Sequence, residues 1–76
     1  MPKLPVIKPR ELISVLKRFG FFESHRVGSH AQFKHPDSRR ITVPIHAGRD
    51  LNKKTLKGII SDLDISVEEF VKILKS

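Results

Sequence analysis

Two turn signals divide the middle of the chain into three short stretches, and this division constrains the fold more than any other feature. Gly28-Ser29 and Pro36-Asp37 are residue pairs that favour tight turns. The stretches beside them, FFESHRV, HAQFKH and RITVP, are rich in aromatic, β-branched and alternating residues, which is typical of strands. Pro44 ends the third stretch, because proline cannot donate to a β-ladder. The sequence therefore predicts a three-stranded antiparallel meander.

A helical pattern precedes this meander. Apolar residues recur at helical spacing over residues 9–19, and they would form one buried stripe: Leu12, Ile13, Leu16 and Phe19. Pro9 suits the first turn of a helix, and Gly20 supplies a stop. We expect a helix over about 9–19, with residues 1–8 as an N-terminal arm.

Two further helices are predicted after the meander. Asn52 is a suitable N-cap for a helix over residues 53–63, and Gly58 within it is a mild cost that often signals close packing. Ser66 to Glu69 have the pattern of a capping box ahead of a C-terminal helical extension, 66–76. The predicted order is α-β-β-β-α plus a short last helix, an α+β fold in a single domain covering 1–76.

The helices are the only cover available for one face of the sheet, so the other face should stay open. Because side chains alternate along a strand, Phe33 and Ala31 would point inward with Ile41 and Val43. Three charged or titratable side chains then share the exposed face: His30, Lys34 and Arg40. This arrangement puts one imidazole among groups that bind phosphate.

Composition narrows the function further. The 76 residues carry a net charge of +7, and residues 1–60 alone carry +9, which favours a polyanionic ligand for the body of the domain. There is no cysteine, so disulfides, thiolate catalysis and cysteine-type zinc sites are excluded. No apolar run reaches the length of a membrane span or a signal peptide, and we expect a cytoplasmic protein without a membrane association.

His30 is the candidate catalytic residue, because an imidazole exchanges protons near neutral pH. Gly28 would let a backbone approach closely, while Ser29 would either donate its hydroxyl or cap the turn. The alternative is that His30 is a solvated strand-end residue without a task. No metal or other cofactor is expected, since His30 and His35 would project to opposite faces, and His25 and His46 lie on other segments.

The stretch GSHAQFKHPDSRRITVPIHAGRDLNKKTLKGII resembles the HicA toxin family, small bacterial mRNA interferases of type II toxin–antitoxin modules. The family has a Gly-Ser-His motif on its second strand, a His-Pro pair, a Val-Pro-x-His segment and a helix beginning near Thr-Leu-x-x-Ile. Here these motifs fall at residues 28–30, 35–36, 43–46 and 55–59, and the resemblance covers about residues 9–62.

The resemblance implies a double-stranded-RNA-binding-domain-like fold and a catalytic histidine, carried over to His30, that cleaves mRNA without a metal. It also implies a HicB-type antitoxin that masks the site, and no direct DNA binding without that antitoxin. The chain departs from the family at two positions: many members have a second histidine where Ala31 stands, and a basic residue is common where His25 stands.

An RNA-specific cut without metal uses the 2′-hydroxyl as nucleophile, so one group must remove its proton and another must protonate the leaving 5′-oxygen. His30 would take one role, with solvent or a second histidine in the other, and Lys34, Arg39 or Arg40 would stabilise the developing charge. Two alternatives stay open. One is a non-catalytic RNA-binding module. The other is a small DNA-binding regulator that uses the lysines of the second predicted helix, Lys53, Lys54 and Lys57.

Overall fold

A computed structural model describes residues 3–46 and 48–76, and it confirms the predicted order of elements and the α+β class. The first two residues of the predicted arm lie outside the described ranges. The likeness to double-stranded-RNA-binding domains stays a prediction. The elements are α1 (Pro9–Arg18), β1 (Phe22–Val27), β2 (His30–Lys34), β3 (Arg40–Pro44), α2 (Lys53–Asp62) and α3 (Val67–Lys75).

The three strands form one antiparallel sheet in the order β1-β2-β3. The side chains predicted to point inward are all buried: Ala31, Phe33, Ile41 and Val43. They join apolar residues of all three helices in one core cluster. The helices therefore cover one face of the sheet, as the alternation along β2 and β3 predicts.

The buried stripe of α1 differs in part from the predicted one. Leu12, Val15 and Leu16 are buried at i, i+3 and i+4, whereas Ile13 and Phe19 are only half-buried at the edge of the core. The helical period explains the difference, because Val15 lies closer to the centre of the stripe than Ile13 does. In α2 and its C-cap the predicted apolar residues are all buried: Leu56, Ile59, Ile60 and Leu63.

Local signals explain where the helices begin and end. Gly20 follows α1 with φ +94°, a left-handed conformation that ends helices. Asn52 Oδ1 accepts a hydrogen bond from the Lys54 amide at 2.8 Å, and Ser66 Oγ accepts one from the Glu69 amide at 3.1 Å. The expectation that Gly58 marks close packing is wrong: it is exposed, and a Cβ built there meets no atom within 4 Å.

Both flanking segments belong to the core. Ile7, just before α1, is buried, and its carbonyl accepts a hydrogen bond from the Leu51 amide at 2.9 Å. In α3, Phe70 is fully buried. Arg18 of α1 donates hydrogen bonds to the carbonyls of Ile73 and Ser76 at 2.9 and 3.0 Å. The C-terminal helix thus stabilises the domain by packing against α1.

Within residues 3–46 and 48–76, no helix is both long enough and apolar enough to cross a lipid bilayer.

Candidate functional site

The face of the sheet opposite the helices is the candidate site, and we call it the open face. Directly paired residues on neighbouring strands project to the same side, so the register defines its members. They are Phe22, His25 and Val27 of β1, His30, Gln32 and Lys34 of β2, and Arg40, Thr42 and Pro44 of β3.

His30 lies in the middle strand, at the end of the sheet next to the first turn. It pairs with Val27 on one side and Pro44 on the other, and its side chain is exposed. Among the described residues, no hydrogen bond or ion pair occupies either nitrogen of its ring. The imidazole is therefore accessible to a ligand that lies on the open face.

The turn before His30 explains the glycine and serine of the motif. Gly28 has φ +55°, a backbone conformation that favours glycine. A Cβ added there would meet no atom within 4 Å, so crowding is not the reason for glycine at this position. The Ser29 carbonyl accepts a hydrogen bond from the Ile45 amide, which extends the pairing of β2 and β3 beyond Pro44. Both residues fix the position of His30 in the sheet.

Lys34 and Arg40 form a cationic pair at the other end of β2. They are direct partners across β2 and β3, and they line a pocket of about 230 Å³ beside the second turn. Lys34 is four residues from His30, which is about 13 Å along a strand. The two cations therefore share the face with His30, but they lie beside a different part of any long ligand.

Arg39, the third predicted cation, is held by its neighbours. Its Nε donates to Asp37 Oδ2 at 2.8 Å, and its guanidinium carbon lies 5.2 Å from the ring centroid of Phe21. Desolvation is the largest single influence on Asp37 and raises its pKa. The hydrogen bonds from the Arg39 amide and guanidinium, together with the positive charge, outweigh this and leave the pKa below its ordinary value of 3.8.

His35, in contrast to His30, is a structural residue. Its Nε2 lies 2.9 Å from the Phe19 carbonyl oxygen, to which it can donate, and its Nδ1 lies within hydrogen-bond distance of the Asp37 amide and carboxylate. The ring also packs at 4.9 Å from that of Phe21. It thus links the second turn to the end of α1.

His46 lies beyond β3, beside the start of α1. It lines a pocket of about 300 Å³ with Lys8, Arg10 and Arg49. Lys8 is already paired with Asp50 at 2.8 Å. In the part of the chain that the structure describes, no three His, Cys, Asp or Glu side chains are grouped as a metal site would need.

None of the three open-face residues of β1 was predicted from the sequence: Phe22 and Val27, which are 50% and 60% exposed, and His25. Strict alternation from the buried Phe21 would place Phe22 outward but His25 inward. The register of β1 shifts between Glu23 and His25, and this irregularity brings His25 to the open face. The position of Phe22 directly after Phe21 is the sequence signal that could have placed its side chain outward.

These features define a class: a small, basic α+β domain with one uncovered sheet face that carries imidazole, cationic and aromatic side chains. The chain belongs to the HicA toxin family of bacterial toxin–antitoxin systems, whose sequence profile matches residues 9–65. It is therefore the toxin component of such a system and has an antitoxin partner. A search of curated proteins finds no significant match.

Proposed function

We propose that this toxin is a metal-independent mRNA endoribonuclease and that His30 is its catalytic acid or base. The observation that carries the proposal is the exposed His30 imidazole, with no partner on its ring within the described residues, on a sheet face that also carries Lys34 and Arg40. Family membership supports a toxic activity, and the net charge of +7 supports a nucleic-acid substrate.

In this mechanism the 2′-hydroxyl of the RNA attacks the adjacent phosphorus and the bond to the 5′-oxygen breaks. The products are a 2′,3′-cyclic phosphate and a 5′-hydroxyl. His30 transfers a proton in one of these events, which contributes about 10²–10⁴-fold to the rate. Because the reaction uses the 2′-hydroxyl, DNA is not a substrate.

Lys34 and Arg40 bind a phosphate next to the one that is cleaved. The separation of about 13 Å along β2 places them too far from His30 for the same phosphate to contact all three side chains easily. Arg39 supports this end of the face through Asp37 and contributes positive charge. Gly28 and Ser29 contribute by holding His30 at the edge of the turn and by leaving room for the RNA backbone.

A HicB-type antitoxin neutralises the toxin by covering the open face. The support is geometric and electrostatic: the site is an uncovered surface, and a basic face attracts an acidic partner.

The activity is tested by expressing the wild-type chain, His30→Ala and the control His46→Ala in bacteria. Wild type and His46→Ala should arrest growth and fragment mRNA, while His30→Ala should allow growth. With purified proteins and a defined RNA, we expect His30→Ala to cleave 10²–10⁴-fold more slowly, EDTA to have no effect, and the products to carry 5′-hydroxyl ends.

RNA affinity separates catalysis from binding. His30→Ala should bind a 2′-O-methylated, uncleavable RNA as tightly as wild type does. If wild type and His30→Ala cleave RNA at equal rates, or if wild type binds RNA without cleaving it, the chain is an RNA-binding module and the proposal is wrong.

A further inference from the structure

Two histidines are diagonal neighbours on the open face. His25 pairs with Gln32 and Val27 pairs with His30, so His25 lies on the adjacent strand, offset from His30 by two residues. The Cα atoms of such diagonal neighbours are about 7–8 Å apart, and long or aromatic side chains at these positions can reach each other. Both histidine side chains are exposed.

The direction of His25 is supported by a second contact in β1. Glu23 and Arg26 form an ion pair at 3.0 Å, and their direct partners in β2 are the buried residues Phe33 and Ala31. These two side chains therefore lie on the other side of β1 from His25. Ser24, at the shift in register, donates its hydroxyl to the Gln32 carbonyl at 3.2 Å, which fixes the irregularity that turns His25 outward.

Both rings are available to a ligand. In residues 3–46 and 48–76, neither His25 nor His30 uses a ring nitrogen in a hydrogen bond or an ion pair. His35 shows the contrast, because both of its nitrogens are engaged. A phosphate can form one hydrogen bond of about 2.9 Å on each side, so one phosphate can contact both rings when it lies between them.

We propose that His25 is a second catalytic residue, and that His25 and His30 act as the acid and base of one RNA cleavage reaction. The inference rests on the proposed ribonuclease function. It assigns the proton-transfer role that a single histidine leaves unfilled. His25 lies on the open face because the register of β1 is irregular. Regular strand alternation does not predict this position.

The proton balance of the reaction requires two groups. The neutral imidazole of the pair removes the proton of the 2′-hydroxyl while the 2′-oxygen bonds to phosphorus. The bond from phosphorus to the 5′-oxygen breaks, and the protonated imidazole gives its proton to that oxygen. One histidine has gained a proton and the other has lost one, and exchange with water restores both.

The register shows which charged and titratable groups surround the two histidines. On the open face, the other charged groups are Lys34, which is offset from His25 by two residues on the adjacent strand, and Arg40, the direct partner of Lys34. On β3, the direct partners at the His30 end of the sheet are the uncharged Thr42 and Pro44, and the exposed His46 follows Pro44 by two residues. Glu23 and Arg26 face the other side, and the helices cover only that other side. A reaction that needs one protonated and one neutral histidine should follow a bell-shaped pH profile.

The test compares His25→Ala, His25→Lys, His30→Ala and wild type on a short RNA of defined sequence. We expect each histidine variant to lose about 10²-fold or more in cleavage rate and one limb of the pH profile. His25→Lys should be as slow as His25→Ala, because a lysine keeps a positive charge but does not exchange protons readily near neutral pH. Binding of 2′-O-methylated RNA and stability in urea should be unchanged in all three.

A second substrate identifies the acid. A nucleoside 3′-phosphate ester with an aryl leaving group needs no protonation as the bond breaks. The variant that lacks the acid should cleave this ester at nearly the wild-type rate, and the variant that lacks the base should remain slow. His46→Ala is the control, an exposed histidine beyond the end of β3 that lines a separate pocket with Lys8 and Arg10, and should behave as wild type with both substrates.

Several results would overturn the pairing. It fails if His25→Ala cleaves RNA within threefold of wild type while His30→Ala is inactive, a result that leaves the proposed function intact. It also fails if His25→Lys retains full activity, because His25 would then act only through its charge, or if EDTA abolishes the activity of wild type. If wild type does not cleave RNA, the proposed function and this inference fall together.

Discussion

At the scale of single residues, the setting of a histidine decides what it does. His30 and His35 are five positions apart, yet the first has an exposed ring without a hydrogen bond to any described residue, and the second has both nitrogens engaged. His35 fixes the second turn against the end of α1, and through Asp37 it is connected to Arg39. The same kind of side chain is therefore open to a ligand at one end of β2 and structural at the other.

His35→Ala should lower the free energy of unfolding by about 1–3 kcal/mol, because the Phe19 carbonyl loses its partner and Phe21 loses a packed ring. Urea unfolding measures the loss. His46→Ala is the control, since that side chain is exposed, and should change the free energy of unfolding by less than about 0.5 kcal/mol. Equal stability of the two variants would contradict the structural role of His35.

Asp37 should make stability depend on acid pH. Its pKa is lower in the folded protein than its ordinary value of 3.8, so the folded state favours the ionised carboxyl. The resulting stabilisation is present above 3.8 and is lost as the pH falls through the lower, folded value. Asp37→Asn should therefore be less stable than wild type at pH 7, and the difference should shrink at pH 3. Urea unfolding at both pH values tests this, and a difference that does not vary with pH would count against it.

At the scale of elements, the sequence predicts most of the sheet. The alternation of Ala31, Phe33, Ile41 and Val43 gives both faces of β2 and β3 correctly, because each strand has a regular period of two. In β1 the period is interrupted at Ser24, and nothing in the letters FESHRV specifies which residue is extra. The outward position of His30 could thus be predicted, whereas that of His25 required the register.

The role of Gly58 in α2 was harder to predict, because a glycine destabilises a helix whether or not a neighbour packs closely against it. Gly58 is exposed with open space around it, and Gly20 combines a positive φ with a close neighbour: an added Cβ would lie 3.0 Å from His35 Nε2. Only the three-dimensional surroundings distinguish the two.

The two glycines should respond to alanine in opposite directions. Gly58→Ala should raise the free energy of unfolding by up to about 1 kcal/mol, because alanine has the better helix propensity and meets no obstacle. Gly20→Ala should lower the free energy of unfolding by about 1–2 kcal/mol, since it strains the left-handed conformation. Thermal or urea unfolding of both variants gives the signs. If Gly58→Ala is destabilising, the space around α2 is not as open as described.

At the scale of the whole molecule, charge and layering act together. The helices cover one face of the sheet and leave the other face uncovered. The chain carries a net charge of +7. In the proposed function, long-range attraction brings the RNA to the molecule, and the exposed face supplies the contacts that hold it.

RNA affinity should fall steeply with salt, and the slope should report which cations contact phosphate. For single-stranded RNA, each contact contributes about −0.7 to the slope of log affinity against log salt. Lys34→Ala and Arg40→Ala should each reduce the steepness by about this amount, measured with 2′-O-methylated RNA.

The charge-matched control for this measurement is Arg26→Ala, on the opposite side of β1. It should leave the slope nearly unchanged. A uniform decrease for all three variants would mean that net charge, and not contact on the open face, determines the binding.

The absence of a helical layer over His30 also affects how the toxin can be inhibited. A drug-sized compound gains affinity by burying most of its surface in a concave cavity, and a flat pleated sheet offers it little enclosure. A protein inhibitor has the opposite advantage, because it can lie across the strands as the missing third layer and bury a wide area at once. The architecture that leaves the imidazole uncovered thus favours control by another macromolecule over control by a metabolite.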